Sequence, residues 1–407
     1  MVSSLFVGID WAARSHELCV VDHAGAVVLR FGFAHSERGI GAAIARLVQL
    51  GCASELPVAI ERPSGVLVER LLEAGYPVVP VHPNAFAAAR PRWGAAGAKS
   101  DPGDAFKLAD YLRTDGHRLR RLKPVDPRTR ELQALSRLRD DHVGAKVAAT
   151  NQLAALLDQH WPGAKAIFAR LDSQIALDFL ERYPTPESAA RLGESRLHAF
   201  LRRHSYCGRR GAGELLERLR QAPRPVAVLD PEIVAELVRA QVQLLRTLLG
   251  TIADLDRALG AAVAQHERAR ALAPLPRIGE INLGQIVAEA GPILERVATV
   301  EQAAAELGAA PVTKTSGQHR SVCFRHACNT KARQALATFA DNSRHSSPWA
   351  AALYTRARAR GCRHPHAIRI LMRAWLRVIW ACWHSGEAYD VTRHGSANTL
   401  QTTEGLT

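Results

Sequence analysis

The chain has 407 residues, of which 47% are apolar, and its formal net charge is +14 at pH 7. That length allows two or three domains with cores of their own, and the apolar content excludes a disordered chain. The positive charge favours a polyanionic partner, with nucleic acid ahead of an acidic membrane surface, although a generally basic proteome has the same effect. No apolar run reaches the roughly 18 residues of a membrane span, so we expect a cytoplasmic protein.

Residues 1–125 alternate between strand and helix patterns. Three short strands are predicted, then a helix capped by Ser36, a strand, a helix and a strand. The predicted elements are strands 6–10, 17–21 and 27–31, helix 36–49, strand 58–61, helix 66–74 and strand 78–82. This order is typical of an α/β domain with an RNase H-like (RuvC-like) fold.

Four carboxylates occupy prominent places in this domain. Asp10 and Glu61 each end an apolar strand, and Asp101 and Asp104 lie where a helix over 102–113 begins. Carboxylates at strand ends point outward at the rim of a sheet, so folding can gather the four around hard divalent cations. Oxygen ligands suit Mg²⁺ or Mn²⁺, and two such ions can clamp a phosphodiester. The alternative for Asp101 is a purely structural helix cap.

A basic, glycine-containing segment precedes those last two acids and contains Arg90, Arg92 and Lys99. We expect a mobile loop that becomes ordered on substrate phosphates, with an ordinary solvated loop as the alternative.

Residues 126–268 form a predicted helical, coiled-coil region. One helix covers residues 130–158, and a second begins at Asp230-Pro231 with apolar residues near heptad spacing. The second helix either forms an arm for dimerisation or packs back on the first.

Residues 269–386 are predicted to be a mostly α-helical third domain. The turn at 275–279, which contains Arg277, is similar to a helix-hairpin-helix that offers backbone N–H groups to a DNA phosphate. Ser316 lies in a basic, turn-prone loop and is a candidate nucleophile. Basic residues that we expect to contact nucleic acid in this domain are Arg277, Lys314, Arg320, Arg325, Arg369, Arg373 and Arg377. A solvated helix face is the alternative for the last three, and residues 387–407 are a predicted flexible tail.

The seven cysteines are an odd number without a Cys-x-x-Cys pair, which predicts reduced thiols. Two groups combine cysteine with histidine: Cys323, His326 and Cys328, and Cys362, His364 and His366. Their spacing fits no common zinc pattern.

Several of these motifs together resemble the DEDD transposases of bacterial insertion sequences, the insertion-sequence-110 family. They are the segments at 7–10, 60–61, 99–104 and 315–317 and the Leu-x-Pro-x-Ile-Gly turn, in which Arg277 stands where glycine is more usual. The resemblance extends from about residue 5 to residue 385.

The resemblance implies that Asp10, Glu61, Asp101 and Asp104 bind Mg²⁺ and that Ser316 forms a covalent link to DNA. It further implies a DNA recombinase that excises and inserts its element and is guided by a structured noncoding bridge RNA that pairs with target and donor DNA. Homodimers that assemble into a homotetramer, with composite active sites, and a nucleoid-associated location are also implied.

Two other functions remain open from the residues alone. A metal-dependent endonuclease of the Holliday-junction type would use the acidic domain with water as nucleophile and leave free DNA ends. A nucleic-acid-binding protein without catalytic activity would carry the four acids for structural reasons only.

Overall fold

The computed structural model describes residues 4–94, 100–223, 225, 229–316 and 319–393. The chain divides into two compact units, Met1–Val125 and Asp126–Thr407. The first unit contains a five-stranded sheet with helices, and the second is mostly helical. The prediction of an α/β N-terminal part followed by a mainly helical chain is therefore confirmed. The division into three domains and a tail stays a prediction.

Among its described residues, the first unit contains five strands and four α-helices, with short 3-10 turns between them. The strands are β1 (Phe6–Trp11), β2 (Ser15–Val21), β3 (Val27–Ala34), β4 (Val58–Ile60) and β5 (Val78–Pro80). The helices are α1 (Glu37–Val48), α2 (Val66–Glu73), α3 (Pro83–Ala89) and α4 (Asp101–Asp115).

The sheet has the strand order β3-β2-β1-β4-β5. The first three strands form an antiparallel meander, whereas β4 runs parallel to β1 and β5 runs parallel to β4. Two-residue turns can join antiparallel strands, but parallel neighbours need crossover connections, which α1 and α2 provide. The carboxyl ends of β1 and β4 consequently meet at one edge of the sheet.

Helices cover both faces of the sheet. Alternate residues of β1 and β4, including Ile9 and Ile60, pack in one core with residues of α1 and α2. On the opposite face, Ala59 packs against Leu108 and Leu112 of α4. The period of two in side-chain direction along a strand therefore decides which helix layer each strand residue meets.

The second unit contains twelve helices and one hairpin among its described residues. The elements are α5 (Pro127–His160), α6 (Pro162–Ile167), α7 (Gln174–Arg182), α8 (Glu194–Arg203), α9 (Ala212–Gln221), α10 (Pro231–Gln265), α11 (Glu267–Leu272), α12 (Glu280–Arg296), α13 (Val300–Glu306), β6 (Val312–Ser316), β7 (His319–Cys323), α14 (Thr330–Ser343), α15 (Pro348–Ala359) and α16 (His364–Ser385).

The two longest helices, α5 and α10, pack against each other. Of the two arrangements that the sequence left open for α10, packing on the preceding long helix is the one observed. Both helices contribute to two separate cores: one with α6 to α9, and one with α11 to α16. Because α5 and α10 each extend through both cores, they join the two cores into one unit.

An ion pair with a buried carboxylate joins three helices of the second core. Glu289 of α12 is 4% exposed, and its carboxylate accepts hydrogen bonds from Arg137 of α5 (2.6 Å) and from Asn329, the N-cap of α14 (3.0 Å). Burial alone would raise the pKa of Glu289, but these hydrogen bonds outweigh burial and lower it. The carboxylate therefore stays charged and holds α14 against α5 and α12.

None of the seven cysteines forms a disulfide bond in the structure, and their reduced state stays a prediction. Cys328 accepts a hydrogen bond from Arg333 at its Sγ (3.2 Å). Among the described residues, no His/Cys cluster is arranged to hold a metal ion. No described helix combines the length and apolar character needed to span a membrane.

Candidate active site

Asp10 and Glu61 lie at the same edge of the sheet and on the same face. In the parallel pair, Gly8 is opposite Ala59 and Ile9 is opposite Ile60. Asp10 is the next residue of β1, and Glu61 directly follows β4. Because alternate residues share a face, Asp10 lies on the face of Gly8, and continuation of β4 places Glu61 on the face of Ala59.

Gly8 fixes that face as the one covered by α4. A Cβ atom on Gly8 would overlap the carbonyl oxygen of Ala105 and the backbone nitrogen of Ala109. The α4 backbone therefore crosses β1 in direct contact at Gly8, two residues before Asp10. Near the other end of α4, Arg113 donates to the carbonyl of His23 in the turn after β2, which lies at the end of the sheet where β1 begins. The first turn of α4, with Asp101 and Asp104, therefore lies toward the end where β1 reaches Asp10, so all four predicted acids lie at one end of the same layer.

The N-terminus of α4 differs from the prediction by one residue. Ser100 occupies the N-cap position, and Asp101 is the first helical residue, with Pro102 after it. The alternative that Asp101 is the cap of the helix is therefore wrong. Asp101 is exposed, and as an acid in the first turn it interacts favourably with the helix dipole.

Asp104 is buried, with 2% of its surface exposed, and two cations hold it. One carboxylate oxygen accepts from Arg90 Nη2 at 3.0 Å, and the other accepts from Lys107 Nζ at 3.1 Å. Such pairing offsets the desolvation cost of a buried charge. The hydrogen-bonding capacity of Arg90 is only partly used, because its buried Nε has no hydrogen-bond partner among the described residues.

The first part of the predicted mobile loop is ordered against α4. Arg90–Trp93 form a 3-10 turn, so residues 90–93 are not the loop that the sequence suggested. Arg92 donates to Asp115 at 2.6 Å, and the Trp93 indole donates to Asp110 at 2.7 Å. The Arg92 hydrogen bond lowers the pKa of Asp115. Lys99 lies outside the described residues.

We call the end of the layer that contains Asp10, Glu61, Asp101 and Asp104 the acidic edge. All four candidate ligands there are carboxylates, and oxygen ligands of this kind fit a hard divalent cation. Within the described residues, however, no group of three or more His, Cys, Asp or Glu side chains is arranged to hold a metal ion. Both oxygens of Asp104 are moreover paired with cations, one with Arg90 and one with Lys107.

Ser316 is the last residue of β6 and is exposed. In the hairpin it is paired with His319 of β7, so residues 314–316 belong to a strand and not to a loop. A lone two-stranded hairpin is marginally stable. Here Arg325 fastens its base by donating to the carbonyls of Ala310 (3.2 Å) and Pro311 (3.4 Å).

The remaining basic candidates occupy several places in the second unit. Lys314 and Arg320 lie on β6 and β7, and their side chains are outside what the structure describes. Arg277 is exposed and has φ of 55°, a left-handed conformation that suits glycine better. On α16, Arg369 stacks over Phe324 at 5.1 Å, Arg373 is half-buried and Arg377 is exposed. Their contacts with nucleic acid stay a prediction.

Sequence reasoning missed Arg90 as the partner of Asp104, because fourteen residues and a turn separate them. It also missed Lys107, although the i,i+3 spacing on a helix is a signal that could have found it.

Comparison with known proteins provides evidence about the family of this chain that does not depend on the geometry described above. The family model for DEDD transposases of IS110 elements, described as "Transposase", matches residues 7–162. A second model, described as "Transposase IS116/IS110/IS902 family", matches residues 269–355. The first match begins within β1 and includes all four acids.

Curated relatives agree with these matches. The chain is 31% identical over 401 residues to the mini-circle putative transposase for IS117 of Streptomyces coelicolor, and the alignment covers 96% of each chain. It is 26% identical over 399 residues to an uncharacterized 42 kDa protein of insertion element IS900 from Mycobacterium paratuberculosis, with 96% of this chain and 98% of the relative covered. The putative transposase y4uE of Sinorhizobium fredii is 34% identical over 202 residues, which are 49% of this chain and 56% of that protein. With two matched family models and a full-length relative, the chain belongs to the IS110 family of insertion-sequence transposases, enzymes that act on DNA.

Proposed function

We propose that this transposase cleaves and rejoins DNA strands with Ser316 as the nucleophile and with a divalent cation, Mg²⁺ or Mn²⁺, at the acidic edge of an RNase H-like domain. The observation that carries the proposal is the placement of Asp10, Glu61, Asp101 and Asp104 at one end of the layer between the sheet and α4. Membership of a DEDD family supports the same four residues.

The four carboxylates are the residues that would hold the cation. A bound divalent cation polarises a phosphoryl oxygen and neutralises charge that develops in the transition state. For Asp104 to take part, Arg90 or Lys107 has to release one of its oxygens. Arg90 is suited to this exchange, because its guanidinium can bind a phosphate of the substrate in place of the carboxylate.

Ser316 has the exposure that a nucleophile requires, at the end of an anchored hairpin. Its Oγ attacks the phosphorus, and the bond from phosphorus to one deoxyribose oxygen breaks as the serine–phosphate bond forms. The departing oxygen takes up a proton. A DNA hydroxyl then attacks the same phosphorus, joins the new strand and releases the serine. Basic side chains near the hairpin stabilise the phosphoryl charge during both steps.

We also propose a structured bridge RNA and a second copy of the chain as partners, which are the partners that the family resemblance implies. The net charge of +14 supports binding of two nucleic acids. Self-association is supported by α10, which leaves Ile233, Leu237 and Leu244 exposed although its other face packs on α5. Their spacing of four and seven residues matches a coiled-coil seam.

Ser316→Ala tests the nucleophile. In the presence of Mg²⁺ and DNA that carries the element ends, the native protein should form a protein–DNA adduct that resists denaturing electrophoresis. The variant should form none while it retains DNA binding, because only the attacking oxygen is removed. Ser321→Ala is the matched control: it removes a serine from the facing strand of the same hairpin.

Adduct formation or recombination at the native rate by Ser316→Ala would rule out the serine mechanism. Free DNA ends, produced by both proteins in a reaction that Asp10→Ala abolishes, would instead indicate an endonuclease that uses water.

A further inference from the structure

Directly after each strand-end carboxylate, the chain places a residue of a different kind. Trp11 follows Asp10 in β1, and Arg62 follows Glu61 after β4. Trp11 packs partly against the core beneath α1 and α2, on the face that contains Ile9. The acidic residues and the Trp11 side chain therefore lie at the same edge of the sheet but on opposite faces.

Arg62 lies over the ring of Trp11. Its Cζ atom is 4.2 Å from the ring centroid, which is a cation–π contact. Arg62 is exposed, and in the part of the chain that the structure describes it forms no hydrogen bond and no ion pair. By contrast, Arg90 and Arg92 at the other face are both paired with carboxylates. Arg62 thus presents an oriented guanidinium whose donors are free to bind an anion.

Two histidines hold the tryptophan in place. His16, which is 1% exposed, lies opposite Trp11 in the β1–β2 pair, with ring centroids 6.1 Å apart. His35 meets Trp11 edge-on at 6.5 Å, and its Nδ1 is 2.8 Å from His16 Nε2. The Trp11 ring is therefore packed against fixed neighbours, which restricts the orientations of the guanidinium stacked on it.

We propose that Arg62, positioned by Trp11, binds a backbone phosphate of the DNA strand that the acidic edge acts on. A planar guanidinium binds two phosphate oxygens at once, and a stacked one loses little further freedom on binding. Because Arg62 belongs to the face opposite α4, it binds a phosphate beside the cleaved one and not the cleaved phosphate itself. This inference rests on the proposed function, since it takes the acidic edge as the place of DNA cleavage.

Arg46 supplies a matched control. It is exposed and stacks over Phe31 at 4.5 Å, so it has the same charge and the same kind of contact. It belongs to the last turn of α1, whose first turn follows the end of β3. Phe31 of β3 lies opposite Leu18 of β2, which lies opposite Ile9 of β1, so the Arg46 guanidinium lies over the outer strand β3, two strand spacings or about 10 Å from β1 and on the side away from β4.

The test is binding of the full-length chain to a fluorescein-labelled DNA duplex with the element ends, measured by anisotropy at several salt concentrations in EDTA. Arg62→Ala should weaken binding about threefold to tenfold and reduce the slope of log K against log salt by about 1. Arg62→Lys should restore the slope but only part of the affinity. Arg46→Ala should bind as the native protein does.

Trp11→Leu tests the positioning role. It should weaken binding less than Arg62→Ala, and the double variant should bind no more weakly than Arg62→Ala alone, because Trp11 acts through Arg62. Thermal unfolding of each variant shows whether folding is retained, and Arg62, an exposed side chain, is not expected to affect it.

Native affinity and slope in Arg62→Ala, or an equal loss in Arg46→Ala, would overturn the inference. The proposed function has a separate readout, the adduct on Ser316. If the native protein forms the adduct but Arg62→Ala binds DNA as well as the native protein does, only the inference about Arg62 is contradicted. If Arg62→Ala binds DNA more weakly but the native protein forms no adduct, only the serine mechanism is contradicted.

Discussion

Asp104 depends on neighbours from two different parts of the chain. Lys107 lies one turn further along α4, while Arg90 comes from the segment after α3. Helix geometry makes the first contact predictable from spacing, but the second exists only because the 3-10 turn at Arg90–Trp93 folds onto α4. The position of Asp104 at a helix start and its contact with Lys107 could therefore be predicted from the sequence, whereas its pairing with Arg90 could not.

His16 provides a prediction about pH. Burial, with a smaller contribution from the charge of His35, lowers its pKa from 6.5 to about 4. Between these values the unfolded chain binds a proton that the folded chain does not, so the free energy of unfolding falls as pH falls from 6.5 to about 4. The full effect is at most about 3 kcal/mol.

His16→Gln is the comparison, because an amide does not titrate. Urea unfolding of both proteins at several pH values should show the stability of the native chain falling more steeply across this window. Parallel curves for the two proteins would show that His16 does not contribute.

At the scale of elements, the contact between α4 and β1 depends on a single glycine. Gly8→Ala should destabilise the first unit by about 1–3 kcal/mol or more, because the new methyl group overlaps the α4 backbone, which cannot move aside as a side chain can. Displacement of α4 should also reduce DNA cleavage, since Asp101 and Asp104 lie on it. Urea unfolding and a nicking assay measure the two effects.

Gly41→Ala in α1 is the control for that change. Gly41 is exposed in a helix, and an added Cβ meets no atom within 4 Å. Alanine there should stabilise the unit by about 0.5–1 kcal/mol, because glycine is a poor helix former. If both variants behaved alike, the close approach of α4 to β1 would not be what makes Gly8 necessary.

The β6–β7 hairpin, in which Ser316 ends β6, is held by contacts that the local sequence does not indicate. Ser316 was predicted to lie in a turn, but it ends a strand whose base is held by Arg325 and flanked by Phe324. The guanidinium groups of Arg333 and Arg369 stack over Phe324 at 4.8 Å and 5.1 Å. These residues come from α14 and α16, so no local pattern around Ser316 indicates them.

At the scale of the whole molecule, the net charge of +14 predicts strong salt dependence of DNA binding. A protein that neutralises six or more phosphates loses about a thousandfold or more in affinity between about 50 and 200 mM salt, because bound counterions are released from the DNA. Anisotropy titrations of the full-length chain measure this slope. A slope near zero would show that the positive charge does not contact the DNA backbone.

The sequence by itself determined the α/β class of the first unit and the order of its strands and helices except α3, because strand ends, apolar periodicity and helix starts are local patterns. The roles of the four acids stay a prediction. Only the tertiary structure decided that α10 packs on α5, that Arg90 pairs with Asp104 and that Arg62 stacks on Trp11. Those contacts join side chains from elements far apart in the chain. Their formation depends on how whole faces are buried, which no spacing along the sequence records.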